Sequence, residues 1–222
     1  LTHRDSHEQP EALVPGQRVR ARILLNDIAH AFAAGHRLRL SISTAYWPIA
    51  WPAPEAATVT IFTGASALEL PVRPARAEDS SLRPFEPPES APGPKETELR
   101  PMELRRVIAH ELVTGEIVHS SGIAGDDLKA GCRRVRIDDL DLEYGHAMRR
   151  RLRIDPRDPL SATAYHRART EFGRSDWQVA VETRMKIGAT ATDFHLEAEM
   201  TATEGDEPIF ERRWKMKIPR DL

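Results

Sequence analysis

The nearest approach to a catalytic serine is Ser66, in the run Gly64-Ala65-Ser66-Ala67-Leu68. A G-x-S-x-G elbow puts its serine on a sharp strand-to-helix turn, where it can attack a carbonyl and form an acyl intermediate. Here Leu68 stands where the second glycine belongs, and no helical period follows. A second candidate is the acidic run Asp138, Asp139, Asp141, Glu143 and His146. Carboxylate oxygens suit a hard cation, and on a strand Asp139, Asp141 and Glu143 would share a face. The glycine-bearing spacing of a calcium loop is absent, so the run reads as a solvated edge or turn. His36 beside Arg37 could act as an acid or base. A lone histidine at a strand start more often satisfies nearby backbone groups. Arg150 and Arg212 fall on otherwise apolar faces, where they could form an anion pocket or pair with acids at the rim; rim pairing is expected. Cys132 has Arg133 and Arg134 beside it, which favours a thiolate, but no histidine is near in sequence. The chain holds no H-E-x-x-H, no Walker loop and no G-x-G-x-x-G. No catalytic residue, metal ligand or cofactor is expected.

Bulk properties narrow the classes further. The chain has 222 residues, 30% of them charged and 40% hydrophobic, with a formal net charge of -2. That balance suits a globular protein and argues against phosphate neutralisation, so nucleic acid is not an expected partner. No apolar run reaches membrane-spanning length, and no membrane association is expected. A single cysteine gives no disulfide framework and permits a reducing compartment; the cytoplasm is the expected location. The opening "LTHRDSHEQP" reads as a cut inside a longer chain.

The elements that would position these residues are strands. Val19, Ala21, Ile23 and Leu25 alternate with Arg18, Arg20 and Arg22. After a short "NDIAHAFAAG" turn, Leu38, Leu40 and Ile42 alternate with Arg37, Arg39 and Ser41. "ATVTIF" and "SALELPV" continue the pattern. Such period-two runs predict half-buried strands. Residues 76–101 are rich in proline and read as an extended linker. Residues 102–222 turn strand-rich again, with a hairpin expected around Thr114 and Gly115. Trp177, Val179, Val181, Met185 and Ile187 would share one face. So would Phe194, Leu196, Ala198, Met200 and Ala202, and then Phe210, Trp214, Met216 and Ile218. Turns at "GRSD", "GATAT" and "EGDEP" make this an antiparallel meander whose apolar face must cover something, with Trp177 and Trp214 buried.

The segment from Leu13 to Pro74 resembles the C-terminal region of the CocE/NonD family of serine hydrolases, which includes cocaine esterase and X-Pro dipeptidyl-peptidases. The likeness rests on Pro15-Gly16, then Ala29, Phe32, Gly35, His36, Arg37, Arg39, Ile42 and Ser43, the exit "YWPIAWPAP" and the close "LELPVRP". The ending "FERRWKMKIPRDL" resembles one bacterial branch of that family.

The resemblance implies an all-β fold: a jelly-roll-like antiparallel β-sandwich, truncated at its N-terminus, over residues 1–75, then the linker at 76–101 and the meander at 102–222. It implies a non-catalytic C-terminal domain that stabilises an N-terminal α/β-hydrolase domain and helps wall its cleft. That parent would hydrolyse an ester or an X-Pro peptide, and this chain alone would be inactive. A carbohydrate- or ligand-binding sandwich is the alternative. Tyr46, Trp47 and Trp51 are the expected interdomain or self-association contact, and a homo-oligomer is expected.

Overall fold

The computed structural model describes residues 1–221. Nine strands form one open, wholly antiparallel sheet. They are β1 (Glu96–Arg100), β2 (Leu104–His110), β3 (Ile117–Ile123), β4 (Arg133–Ile137), β5 (Leu142–Asp155), β6 (Asp158–Arg174), β7 (Trp177–Ala189), β8 (Asp193–Glu204) and β9 (Glu207–Pro219). The fold is all-β, as the alternation predicts, and the meander β5 to β9 runs in sequence order.

β5 is long enough to take two neighbours on one edge. Its first half pairs with β4, from Arg133 opposite His146 to Ile137 opposite Leu142. Its second half pairs with β3, from Gly122 opposite Arg149 to Ile117 opposite Ile154. β1 and β2 then extend the sheet from β4 and β3 respectively. Gly115 closes the β2–β3 hairpin at φ +78. Gly122 takes φ +123, and a Cβ there would collide with the Met148 carbonyl oxygen. Only glycine lets β3 approach β5 that closely.

Tight turns set the register of the meander. Ser175-Asp176 links Arg174 to Trp177 with Ser175 at φ 51, and Gly205-Asp206 links Glu204 to Glu207 with Gly205 at φ +59. Left-handed residues of this kind match the right-handed twist of the strands they join. The register brings the predicted faces together. Val181 lies opposite Ala202, Met185 opposite Ala198 and Ile187 opposite Leu196. Phe194 lies opposite Ile218, Leu196 opposite Met216 and Ala198 opposite Trp214. Alternation carries the same face onto β6 and β5 through Phe172, Ala168, Met148 and Leu152.

The opposite face is charged. Glu182, Arg184, Glu197, Glu199, Arg213, Lys215 and Lys217 project there, with Glu199–Arg213, Glu197–Lys215 and Asp193–Lys217 pairing across strands. At β5 and β6 this face is covered by the β3–β4 connection. A one-turn helix, α1 (Leu128–Gly131), is capped by Asp127, whose carboxylate accepts from the Lys129 and Ala130 amides. Leu128 and Cys132 pack with Ile123 and Ala147 into the main buried cluster, with Met102 against it. The main buried cluster therefore sits on the charged side of the sheet, while Val135 and Leu152 are buried on its apolar side.

Residues 1–95 depart from the strand expectation. Apart from an isolated bridge between Tyr46 and Ala50, they contain turns, bends and two short 3-10 turns, Thr63–Ala65 and Ala77–Ser80. The segments at 18–25, 38–42, 57–62 and 66–72 hold no strand, and "NDIAHAFAAG" reduces to a turn at Ala34-Gly35. The physical reason is pairing. Period-two alternation gives a strand only where a neighbour takes its backbone groups. Here Val19, Ile23, Leu25, Leu38, Leu40 and Ile42 are all exposed. The turn chemistry is as written in the sequence: Gly16 sits at φ +79 with the Gln17 amide donating to the Val14 carbonyl, a Pro-Gly turn. β1 occupies the end of the segment read as linker.

Trp177 has the predicted register but is 45% exposed, and Trp214 is half-buried with Arg212 stacked 5.0 Å from its ring. Among the described residues no second layer covers the apolar face of the meander, so its end positions stay open.

Candidate functional site

The residues that could do chemistry are dispersed. Ser66 caps the Thr63–Ala65 turn, and its hydroxyl donates to the Phe62 carbonyl at 2.9 Å. Among the described residues no histidine bonds to it. His36 is exposed in the Gly35 turn; its amide donates to the Ala33 carbonyl and its ring makes no hydrogen bond among the described residues. It therefore does not cap a strand, because no strand starts there.

The acidic run is split by a 3-10 turn, Asp138–Leu140, followed by Asp141 at φ 47. Asp138 accepts from Thr97 at 3.1 Å and pairs with Arg136 at 3.2 Å. The Thr97 hydroxyl bond holds the Asp138 carboxyl below its usual range. Glu143 turns to Arg134 at 2.6 Å. Among the described residues no group of three histidine, cysteine or acidic side chains could hold a metal ion.

Among the described residues neither Arg150 nor Arg212 pairs with an acid. Arg150 lies opposite His166 and Ser121, with Nε donating to the Ser121 hydroxyl at 3.4 Å. Arg212 stacks on Trp214. Four strand spacings, about 19 Å, separate β5 from β9, so the two cannot form one pocket.

Cys132 is fully buried. Burial pushes its thiol up to about 11, and Glu171 adds to the effect; Arg100 and Arg169 oppose it without prevailing. Sequence neighbours suggested the opposite sign. Desolvation of the thiolate outweighs the arginine charges because the group is wholly inside.

Glu171 is the side chain that sequence reading passed over. It is buried, and accepts from Arg100 at 2.8 Å and from Arg169 Nε at 2.9 Å. Arg169 also donates to Glu182 at 2.8 Å. Burial pulls the Arg169 guanidinium down, but its bonds to Glu171 and Glu182 outweigh that and hold it above its ordinary value. A buried carboxylate among arginines can mark a site, but here Arg100, Arg169 and Glu182 are paired and the depression that Glu182 lines holds only about 70 Å³, so the cluster joins β1, β6 and β7. Two depressions on the surface are small and open. One, of about 160 Å³, is lined by Arg105, Val107, Ser120, Ser121, Ile123, Ala124 and Arg149. Another, of about 70 Å³, is lined by Glu182, Arg184, Glu199 and Thr201. Small-molecule sites usually exceed about 300 Å³.

What the structure does bring together is the Trp-Pro segment and one corner of the sheet. Trp47 and Trp51 meet edge to face, with ring centroids 4.5 Å apart at 83°. Trp51 in turn meets Phe194 of β8 at 5.6 Å and 87°. The Arg220 guanidinium lies 4.8 Å over the other partner of that pair, Phe194, and donates to the Pro52 carbonyl at 2.6 Å. Pro52 is buried, while Tyr46 remains exposed. Burial lowers the Arg220 pKa, because the guanidinium is held partly out of water against the Phe194 ring. Trp51 Nε1 is buried without an acceptor among the described residues, so the indole acts through its surface. Proline fixes the approach of the chain, and the partners Phe194 and Arg220 lie more than 140 residues away, where no local pattern announces them.

Residues 1–78, a third of the chain, match the family model of the X-Pro dipeptidyl-peptidase C-terminal non-catalytic domain. The match covers the resemblance carried by Pro15-Gly16, the Gly35-His36-Arg37 unit and the Trp-Pro exit. It also agrees with the dispersed chemistry above: this region is related to a domain that carries no catalytic residues. No curated protein and no solved structure matches the chain significantly. Among the described residues no helix is long and apolar enough to cross a membrane.

Proposed function

We propose that this chain is the non-catalytic C-terminal part of a CocE/NonD-type serine hydrolase, with the sandwich-related region at 1–75, the linker at 76–101, whose end carries β1, and the meander at 102–222. Its role is to stabilise an α/β-hydrolase domain on the same chain and help wall that domain's cleft. The parent cleaves an ester or an X-Pro peptide bond through an acyl-serine intermediate, with the nucleophile outside residues 1–222. The observation that carries the reading is the family match over residues 1–78. Ser66 bonded to its own turn and the absence of any assembled triad among the described residues are consistent with it.

The test is a comparison between this chain and the longer reading frame that contains it. A fluorophosphonate probe should label one serine in the longer protein, upstream of Leu1, and leave residues 1–222 unlabelled. Removing residues 102–222 from the longer protein should lower its thermal midpoint while p-nitrophenyl ester hydrolysis persists at low temperature. Stoichiometric labelling of any serine within 1–222 overturns the reading.

A further inference from the structure

We propose that Arg106, Ser121 and Arg150, with His119 and His166 beside them, form a binding site for the phosphate group of a ligand, on the face of the sheet that carries Met148 and Leu152. The inference goes beyond the proposed function and does not depend on it, since it concerns the sheet alone.

The strand registers line these residues up. Arg106 of β2 lies opposite Ser121 of β3, Ser121 opposite Arg150 of β5, and Arg150 opposite His166 of β6. Cross-strand partners project to the same side, so the four form one row across the sheet. His119 is two positions from Ser121 along β3 and shares that side. Arg106 and Arg150 are exposed, and Ser121, His119 and His166 are half-buried. Two strand spacings, about 10 Å, separate the two arginine backbones. The short Ser121 side chain stands between them, so the row is open at its middle and flanked by two long cationic side chains.

Each guanidinium is steered but not satisfied. Arg150 Nε donates to the Ser121 hydroxyl at 3.4 Å, and Arg106 Nε donates to His119 Nε2 at 3.2 Å. Among the described residues these are their only hydrogen bonds, and neither has an acid partner. Arg149 and Arg153, on the opposite face of β5, pair with Asp126 and Glu116. The terminal amines of both forks are left to donate, and the Ser121 hydroxyl keeps its own proton for an acceptor. Positive charge reaches along the row. Burial lowers both histidines, with Arg106 and Arg150 adding to it at His119, and Arg150 and His146 at His166. Two guanidiniums repelling each other across a hydroxyl are an arrangement that an oxyanion completes, since each fork can give it two parallel bonds. The donors approach from two sides and from beneath. A phosphate presents oxygens in several directions, whereas a carboxylate presents two in one plane, so phosphate is the better fit. The row takes one phosphate and not a polyanion, in keeping with a net charge of -2.

The experiment is an NMR titration of the whole chain with inorganic phosphate, at about pH 7.5, where both rings are neutral, and at ionic strength held constant with chloride. The ring signals of His119 and His166 should shift together and saturate. Arg106→Met and Arg150→Met should each weaken phosphate binding by about tenfold or more, the loss expected for one charge-assisted pair. Both side chains are exposed, so the amide signals of β8 and β9 should stay in place and show that the fold is kept. Arg212→Met removes the same charge from the same face at a residue that stacks on Trp214, and should leave binding intact. Acetate should bind more weakly than phosphate. Ring signals that do not respond, or that drift without saturating, overturn the proposal. An equal loss in Arg212→Met would reduce the effect to net charge and overturn it too, and so would acetate binding as tightly as phosphate.

Discussion

Trp51 stands edge-on to Phe194 at 5.6 Å, 143 positions away in sequence, and this pair joins the strandless half of the chain to the sheet. An aromatic pair of this geometry is worth about 0.5–1.5 kcal/mol beyond its burial. A double-mutant cycle of Trp51→Ala and Phe194→Ala should return a coupling in that range from urea midpoints. Trp51→Phe should keep most of it, because the indole Nε1 has no acceptor to lose. A coupling indistinguishable from zero would mean that the two halves do not meet here.

Cys132 should be inert in the folded protein. Its thiol is held at about 11 by burial and by Glu171, so at pH 8 only about one molecule in a thousand carries a thiolate. Native protein should react with a disulfide reagent only as fast as it opens, and immediately in denaturant. Glu171→Gln removes the carboxylate that helps hold the thiol up, and should speed labelling. Rapid stoichiometric labelling of the native chain would place Cys132 at the surface.

Glu171 is predicted to be worth more to stability than any exposed ion pair on the charged face. Its side chain is 8% exposed and that of Arg169 is 12% exposed. Glu171→Ala leaves Arg100 facing a void without its acid and Arg169 with Glu182 as its remaining acid, and breaking a buried pair in this way typically costs about 3–5 kcal/mol. Glu197→Ala removes the partner of an exposed lysine and should cost under about 1 kcal/mol. Equal thermal midpoints for the two variants would show that the Glu171 cluster is solvated.

The meander was legible because its signals are local. Period-two alternation from Trp177 to Ile218, with Ser175-Asp176 before the first run and Gly205-Asp206 before the last, gives strand faces and register almost directly. The same alternation at 19–25 and 38–42 suggested strands that the structure does not contain. Alternation states which side of a strand is apolar, but not whether a neighbour exists to pair with it. Cys132 shows a second limit. Arg133 and Arg134 are its neighbours in sequence, yet Glu171 and burial decide its ionisation, and both come from tertiary packing. Trp47 and Trp51 could be picked out from their Trp-Pro context, whereas Phe194 and Arg220 could not, because their part in the contact depends wholly on where β8 and β9 end.

Stability should also depend on pH through His119 and His166, on the apolar side of β3 and β6. Burial lowers the pKa of His166, and Arg150 and His146 lower it further. Burial likewise lowers His119, with Arg106 and Arg150 adding to it. Arg106 lies 3.2 Å from His119 Nε2, and Arg150 is the cross-strand partner of His166. Both imidazoles therefore titrate below 6.5 when folded and near 6.5 when unfolded. As pH falls, the unfolded chain takes up these protons first. The stability the neutral rings contribute is complete above about pH 6.5 and is lost as pH falls from there through the folded values. The carboxylates act in a different window. Arg157 holds Asp155 down to about 2, so its contribution is complete above about pH 4 and fades only below that. Urea midpoints should accordingly fall between pH 7.5 and pH 5.0, with a further fall below pH 4. His119→Asn combined with His166→Gln should flatten the first step and leave the second. Arg150→Met should raise both histidine midpoints in an NMR titration, since its charge bears on each ring. Histidine midpoints at or above 6.5 in the folded chain, or an unaltered first step in the double variant, would remove these two rings from the account.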